Sequence, residues 1–213
     1  MDAITAFLNS RVDREIFVEQ LKGYENPEFP MKDFVYLLNK ALYGLKQSPL
    51  LWFKAVGVAM LKMGFRQLEN CPCLFIKHTD GLELPGRLED ITDWDKIIIV
   101  MVYVDDFLVC TKNPDLMRDT KAQLSAHFKM TDNGPVTNHL GLMIQFYGED
   151  AVGPARVEIT NPNYIVALLD KMKMSTASAM PTPISPGYYP KDSPDDERFE
   201  APVLYQEAVG ALM

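Results

Sequence analysis

Residues 97–110 read IIIVMVYVDDFLVC, an apolar run in which two adjacent acids, Asp105 and Asp106, are the only charged side chains. The β-branched and aromatic residues on both sides of the acids favour strands. A run of this length is long for a single strand. We therefore expect two antiparallel strands joined by a tight turn, with the acids at or near its tip.

This acidic pair has two interpretations. Two like charges about 4 Å apart repel by roughly 4 kcal/mol at an effective dielectric constant near 20, and burial adds a desolvation cost. A divalent cation would relieve both penalties. Asp is also a common turn residue, so the pair could simply close a hairpin, although Val-Asp-Asp-Phe lacks the glycine that such turns favour. The pattern alone leaves both interpretations open.

The composition is that of a globular chain. It has 213 residues, 47% of them hydrophobic, which is enough for one or two domains. We expect neither a signal peptide nor a membrane span, because no uncharged apolar run reaches 18 residues. Three cysteines are too few and wrongly spaced for a zinc site or a disulfide framework, and they fit a reducing, intracellular setting. The net charge of −8 gives no strong electrostatic signature of nucleic-acid binding.

The remaining pattern predicts an α+β fold, an antiparallel sheet covered by helices on one face. Ser48 is expected as the N-cap of a helix over 50–63, with Pro49 in its first turn. The other predicted elements are a strand over 15–20, a strand over 73–78, a helix over 114–128, a hairpin formed by 139–147 and 156–160, a helix over 161–172 and a helix near the last residues. Residues 181–202 contain six prolines and an acidic cluster and are expected to form an extended linker.

Three separated segments carry a family resemblance: MDAITAFLNS at 1–10, KALYGLKQSPLLW at 40–52 and YVDD at 103–106. In this order and spacing they resemble the catalytic palm of the reverse transcriptases of copia-type LTR retrotransposons. YVDD alone is a weak signal, and the combination is a strong one. Further similar segments at 72–77, 128–142 and 205–213 extend the resemblance over nearly the whole chain.

The resemblance implies a right-hand polymerase palm, a ferredoxin-like antiparallel sheet with helices on one face, plus part of a thumb or connection. It divides the chain into a palm core over 1–147, a hairpin and helix of the palm or thumb over 148–180, and a linker leading toward ribonuclease H over 181–213. The chain is expected to be truncated at both ends, with the fingers largely missing, and Met1 to be an internal methionine of a longer frame.

The resemblance also implies a reaction and its catalytic residues. RNA-directed DNA polymerases transfer a nucleotide from a dNTP to a primer 3′-hydroxyl, and two hard cations about 3.5–4 Å apart suit this chemistry. Asp2, Asp105 and Asp106 would be the catalytic and metal-binding residues, holding two Mg²⁺ ions, with Mn²⁺ as an alternative. Without the resemblance, Asp2 would be taken for an ordinary N-terminal acid.

Further residues are assigned to ligands in the same way. Phe7, Tyr43, Gly44 and Tyr103 would contact the nucleotide, with Phe7 as the aromatic gate that rejects a ribose 2′-hydroxyl. Core packing is the alternative for Phe7, and a plain turn is the alternative for Gly44. The template–primer would be contacted by Lys46, Gln47, Ser48 and Pro49. Trp52 and Trp94 are expected to be packing residues.

The implied partners are an RNA or DNA template–primer, dNTPs, and the fingers, integrase and ribonuclease H parts of a polyprotein, with no membrane. The implied location is intracellular, in a cytoplasmic particle or the nucleus. Ser10 and Leu50 depart from the family pattern, and Asp2 has only one residue before it. We expect little or no polymerase activity from the isolated chain, because the fingers that would hold the incoming triphosphate are expected to be missing. The alternative is a non-catalytic retrotransposon relic that keeps the palm fold as an inert or interaction module.

Overall fold

A computed structural model describes residues 1–82, 91–148, 155–182, 187 and 202–212. They belong to two compact units, Met1–Pro135 and Val136–Met213. In chain order, unit 1 contains β1 (Asp2–Ala3), a 3-10 helix (Ala6–Asn9), β2 (Phe17–Val18), β3 (Tyr36–Leu37), α1 (Ser48–Lys62), β4 (Arg66–Gln67), β5 (Leu74–His78), a 3-10 helix (Trp94–Lys96), β6 (Ile97–Tyr103), β7 (Asp106–Cys110), α2 (Pro114–His127) and β8 (Met130–Thr131). Unit 2 contains β9 (Asn138–His139), β10 (Leu142–Tyr147), β11 (Arg156–Thr160), α3 (Pro162–Lys171) and α4 (Pro202–Leu212).

The centre of unit 1 is a six-stranded sheet in the order β4-β5-β6-β7-β1-β8. Each pair of neighbours is antiparallel. The 97–110 run forms β6 and β7 as predicted, paired from Ile99↔Cys110 to Tyr103↔Asp106. The chain is therefore a mixed α+β protein built around an antiparallel sheet.

The main core lies between this sheet and both helices of unit 1. Ile98, Val100 and Val102 alternate along β6 and join the same buried cluster as residues of α1 and α2. Because alternate residues of a strand share a face, α1 and α2 cover one side of the sheet. On α1, buried Leu51, Trp52, Val56, Ala59 and Met60 recur at helical spacing and face this core.

The opposite side of β6 is also apolar. Ile97 forms a smaller buried cluster with Ile76 and Ile91, against which Trp94 and Ile99 pack. A central strand that is apolar on both faces explains why 97–103 reads as a continuous hydrophobic run rather than an alternating one.

Several predicted boundaries are wrong in detail. Ser48 is the first residue of α1 and not its N-cap; Gln47 occupies the cap position, and its side chain makes no capping bond. The strand expected over 15–20 is only Phe17–Val18. The strand expected over 139–147 is divided into β9 and β10 by Leu140 and Gly141, which both adopt positive φ. Most of the linker predicted over 181–202 lies outside the described residues.

Unit 2 is a three-stranded sheet, β11-β10-β9, accompanied by α3 and α4. The two helices are linked by an ion pair of 2.8 Å between Lys171 and Glu207. The Tyr164 hydroxyl also donates to the Ala211 carbonyl at 3.1 Å. Among the described residues of the whole chain, no helix is both long and apolar enough to cross a bilayer.

Candidate catalytic centre

β1 is short but lies inside the sheet, between β7 and β8. Asp2 is the direct partner of Asp106 on β7 and of Thr131 on β8. The backbones of Met1 and Phe107 exchange two hydrogen bonds of 2.8 Å. The Ala3 amide donates to the Asp105 carbonyl at 2.8 Å. Two residues of strand are thus enough to place Asp2 beside both acids of the hairpin.

The acids lie at a two-residue turn. Tyr103 and Asp106 are the last paired residues of β6 and β7, so Val104 and Asp105 form the connection. Val104 has φ 53, a left-handed conformation that is rare for a β-branched residue. The Val104 carbonyl accepts a hydrogen bond of 2.5 Å from the indole nitrogen of Trp52.

The electrostatics of this region disfavour a third negative charge. Burial raises the pKa of the Asp2 carboxyl above its ordinary value, and the charges of Asp105 and Asp106 raise it further. The amino group of Met1 acts in the opposite direction with a smaller effect. Three carboxyl groups with one nearby amine form a site at which a cation would be stabilised.

The side chains of Asp2, Asp105 and Asp106 do not form a metal-binding group in this structure. Within the part of the chain that the structure describes, no group of three or more His, Cys, Asp or Glu side chains is placed to hold a metal ion. The donor chemistry nevertheless fits a hard divalent cation, because carboxylate oxygens are the ligands that Mg²⁺ prefers. The backbone therefore places Asp2 and Asp106 on neighbouring strands with Asp105 in the adjoining turn, although the three side chains do not form a metal-binding group in this structure.

Phe7 and Tyr43, two of the predicted nucleotide-binding residues, contact each other. Their ring centroids are 4.4 Å apart at an interplanar angle of 47°. Phe7 is buried at 8% exposure, whereas Tyr43 is 57% exposed. Phe7 belongs to the main core cluster, so the packing interpretation holds for most of its ring. The Tyr43 ring therefore lies against the Phe7 ring, and the rest of the Tyr43 side chain is exposed to solvent.

The segment from 42 to 47 forms the turn that leads into α1. Gly44 has φ +97 and open space where a Cβ would be, so its backbone conformation, rather than close packing, requires glycine. Ser48 is fully buried, and its hydroxyl donates to the Leu42 carbonyl at 2.5 Å. The nucleic-acid contact expected of Ser48 is therefore not available to its side chain in this structure.

The remaining predicted residues are accessible to different degrees. Tyr103, at the end of β6, is 56% exposed. Lys46 and Pro49 are exposed, and Gln47 is partly buried. The structure brings Asp2, Asp105 and Asp106 together and pairs Phe7 with Tyr43.

Two features of this region were missed by sequence reasoning. Asn9 ends the first 3-10 helix, and its side-chain amide donates to the carbonyls of Thr5 and Ala6 at 3.1 and 3.2 Å, which holds the segment after Asp2 in place. Asn is a frequent partner of nearby backbone groups, so TAFLN contained this signal. An open cavity of about 580 Å³ also lies beside this segment. It is lined by Arg11, Val12, Asp13, Arg14, Glu15, Leu37, Leu38, Asn39 and Lys40.

Comparison with known proteins decides the family. Residues 1–186 match the family model described as reverse transcriptase (RNA-dependent DNA polymerase). The chain belongs to the reverse transcriptase family. The resemblance drawn from the three motifs is thereby confirmed, and the match includes every candidate site residue.

Relatives of this reverse transcriptase chain come from plants and yeast. It is 31% identical to the retrovirus-related Pol polyprotein from transposon TNT 1-94 of Nicotiana tabacum, over 100% of this chain and 15% of that protein. It is also 31% identical to a transposon Ty5-1 protein of Saccharomyces cerevisiae, over 100% of this chain and 62% of the relative. A Pol polyprotein from transposon RE1 of Arabidopsis thaliana is 29% identical over 100% of this chain and 13% of its own length. No solved structure matches the chain significantly.

Proposed function

We propose that this chain is the palm of a retrotransposon RNA-directed DNA polymerase and that Asp2, Asp105 and Asp106 bind its divalent cations. The observation that carries the proposal is the pairing of Asp2 with Asp106 across neighbouring strands, with Asp105 in the adjoining turn. Family membership supplies the reaction, transfer of a nucleotide from a dNTP to a primer 3′-hydroxyl on an RNA or DNA template.

The strand order supports the palm assignment. Taken alone, β1, β6, β7 and β8 lie in the order β6-β7-β1-β8, with α1 preceding β6 and α2 joining β7 to β8. This is the arrangement of a ferredoxin-like split β-α-β fold. β4 and β5 extend the sheet beyond β6. The thumb assignment for residues after 147 and the linker toward ribonuclease H rest on the resemblance.

In the proposed site, side chains of this chain bind the cations and position the nucleotide. Asp2, Asp105 and Asp106 would hold two Mg²⁺ ions through their carboxylate oxygens, with Mn²⁺ as an alternative. When bound, such ions stabilise the charge that develops during phosphoryl transfer. The paired rings of Phe7 and Tyr43 limit the space beside the sugar, and Tyr103 and Gly44 border the nucleotide.

The template–primer is proposed to contact Lys46, Gln47 and Pro49 at the start of α1. Lys46 is the cationic member, suited to a phosphate as a point charge. Ser48 would support this surface from beneath through its bond to Leu42.

We propose that polymerisation needs a longer protein than this chain. The alignments span only 15% and 13% of two related Pol polyproteins. The partners of the chain would then include fingers, integrase and ribonuclease H regions, in a cytoplasmic particle or the nucleus.

A second candidate is a non-catalytic relic that keeps the fold as an inert or interaction module. One observation favours it: among the described residues, the acids do not form a group placed to hold a metal. Metal binding separates the two candidates, because a relic has no need to retain it.

The deciding experiment is a titration of the 213-residue chain with Mn²⁺, in which electron paramagnetic resonance measures the bound ion. We expect binding that is lost in Asp105→Asn and retained in Asp119→Asn, a change at an exposed acid on α2. Equal binding by all three proteins, or none by the native chain, would contradict the proposed site and favour the relic.

A second experiment measures primer extension by the isolated chain in the presence of Mg²⁺. The isolated chain is expected to show little or no extension. Extension that Asp105→Asn abolishes would establish the polymerase function and overturn the expectation that the chain is inactive alone.

A further inference from the structure

The turn between β6 and β7 adopts a conformation that its sequence disfavours. Val104 is the first of the two connecting residues and has φ 53. Turns that need a positive φ at this position normally have glycine there. A β-branched residue persists in such a conformation only where its surroundings impose it. Some contact must therefore hold the Val104 backbone.

Trp52 makes that contact. Its indole N–H, the only hydrogen-bond donor of the side chain, donates to the Val104 carbonyl at 2.5 Å across 52 positions of sequence. The indole is itself fixed, since Trp52 is 1% exposed and contacts the rings of Phe107 and Phe128. The ring centroids are 6.5 and 4.9 Å away, and both contacts are close to edge-on.

We propose that Trp52 is a positioning residue of the catalytic centre: by holding the Val104 carbonyl it maintains the strained turn that keeps Asp105 beside Asp2. The inference rests on the proposed metal-binding function of these acids. Because the Trp52 side chain is only 1% exposed, it is not accessible to a substrate or an ion, and it would act only through the turn.

The backbone shows how the effect would be transmitted. Val104 directly precedes Asp105, whose carbonyl accepts the Ala3 amide at 2.8 Å. If the Val104 carbonyl loses its partner, the turn can relax to a less strained geometry, and the Asp105 backbone rotates with it. The carboxylate then leaves the region shared with Asp2 and Asp106, although the core around Trp52 remains filled.

The most specific variant removes only the indole N–H donor of Trp52. Benzothienylalanine replaces the indole N–H by sulfur with little change in shape. It can be incorporated at position 52 in a Trp94→Phe background, since the chain has only two tryptophans. Trp52→Phe is a second, genetically simple variant that also deletes the donor.

Two further variants separate positioning from packing. Phe128→Leu trims the ring packed on Trp52 without removing the N–H and serves as the packing control. Trp52→Phe combined with Val104→Gly is the rescue variant, because glycine adopts a positive φ without the steric cost that valine incurs.

The readouts are Mn²⁺ affinity of the full chain and hydrogen exchange of the Ala3 amide. Loss of the indole N–H is expected to weaken Mn²⁺ binding by about tenfold or more, as for other residues that orient metal ligands. It should also speed Ala3 exchange. Phe128→Leu should leave both readouts near those of the native chain, and the rescue variant should recover most of the affinity.

The inference is overturned if donor deletion leaves both readouts unchanged, if Phe128→Leu changes them as much, or if Val104→Gly fails to rescue Trp52→Phe. A failure of the proposed function looks different. In that case the native chain binds no Mn²⁺ that depends on Asp105, while Ala3 exchange still reports whether Trp52 holds the turn.

Discussion

At the residue scale, Asp2 has the most demanding environment of the candidate site. Its carboxyl pKa is raised by burial first and by Asp105 and Asp106 second. The folded chain therefore holds the Asp2 proton more tightly than the unfolded chain does. The stabilising effect of that proton is complete below the ordinary pKa of 3.8 and is lost as the pH rises through the folded value.

Asp2→Asn is accordingly expected to raise the melting temperature at pH 7 in the absence of divalent cations. The gain should shrink toward pH 3, where Asp2 is protonated in both states. Added Mg²⁺ should stabilise the native chain more than the variant. Thermal unfolding from pH 3 to 8, with and without Mg²⁺, measures all three effects, and a variant less stable at pH 7 would contradict the electrostatic argument.

A second prediction at the residue scale concerns the backbone conformation of Gly44 and its effect on stability. Its φ of +97 is costly for any residue with a Cβ, so Gly44→Ala should lower the free energy of unfolding by about 1–2 kcal/mol. Gly57→Ala is the matched control, because Gly57 lies within α1 with open space for a methyl group and no positive φ. That change should stabilise the protein by roughly 0.5–1 kcal/mol. Urea unfolding of both variants should give shifts of opposite sign.

At the element scale, the two helices of unit 1 begin differently. Asn113 caps α2, and its side-chain oxygen accepts from the amides of Asp115 and Leu116 at 3.0 and 3.2 Å. At the cap position of α1, the Gln47 side chain makes no such bond. Asn113→Ala should therefore cost about 1 kcal/mol of stability, whereas Gln47→Ala should cost much less. Equal losses in urea titrations would show that the α2 cap contributes little.

The connection from α2 to the sequence after β8 depends on an ion pair. Lys121 contacts both carboxylate oxygens of Asp132 at 3.0 Å, and the Gly134 amide donates to one of them. These contacts, led by the Lys121 hydrogen bond, lower the pKa of Asp132. A lowered pKa stabilises the fold above the unfolded pKa, and the effect is lost as the pH falls through the folded value.

Asp132→Asn should consequently destabilise the protein at pH 7 and not near pH 2. Because Asp132 is 47% exposed, the loss should be small, about 0.5–1 kcal/mol. Asp119→Asn, at an exposed position of α2, is the control. A loss that does not change with pH would mean that packing, rather than charge, accounts for the effect.

At the scale of the whole molecule, burial is concentrated in unit 1. Every buried hydrophobic side chain among the described residues lies between Ala3 and Phe128. In unit 2, Phe146, Val157 and Ile159 lie on one face of β10 and β11 by their register, and each is more than half exposed. Exposed apolar surface of this kind favours association.

We expect residues 1–135 to fold cooperatively as a separate protein, since they keep the entire described core. Residues 136–213 alone should not show a cooperative transition, because the described residues of this segment bury too little apolar surface to offset their conformational entropy. Circular dichroism during thermal unfolding of the two fragments measures this. A sharp transition in the 136–213 fragment, or none in the 1–135 fragment, would contradict the expectation.

Local sequence patterns predict several elements of the fold and the family of this protein. The apolar run at 97–110 predicts the hairpin and the Asn-Pro start at 113 predicts α2, because each signal is a short local segment. The family is predicted by three short motifs and by their order along the chain. The limits of β2 and the break between β9 and β10 were missed, since pairing and positive φ depend on the backbone partner more than on propensity.

Only the tertiary structure decided how the candidate site is arranged. That Asp2 lies opposite Asp106, that Ser48 is buried, and that Trp52 reaches the carbonyl of Val104 are contacts between segments 6 to 104 residues apart. Sequence spacing cannot specify them, because strand order and the packing of α1 against the sheet bring these segments together. The sequence therefore predicts the acids and the turn that carries them, whereas the contact between Trp52 and that turn follows only from the tertiary structure.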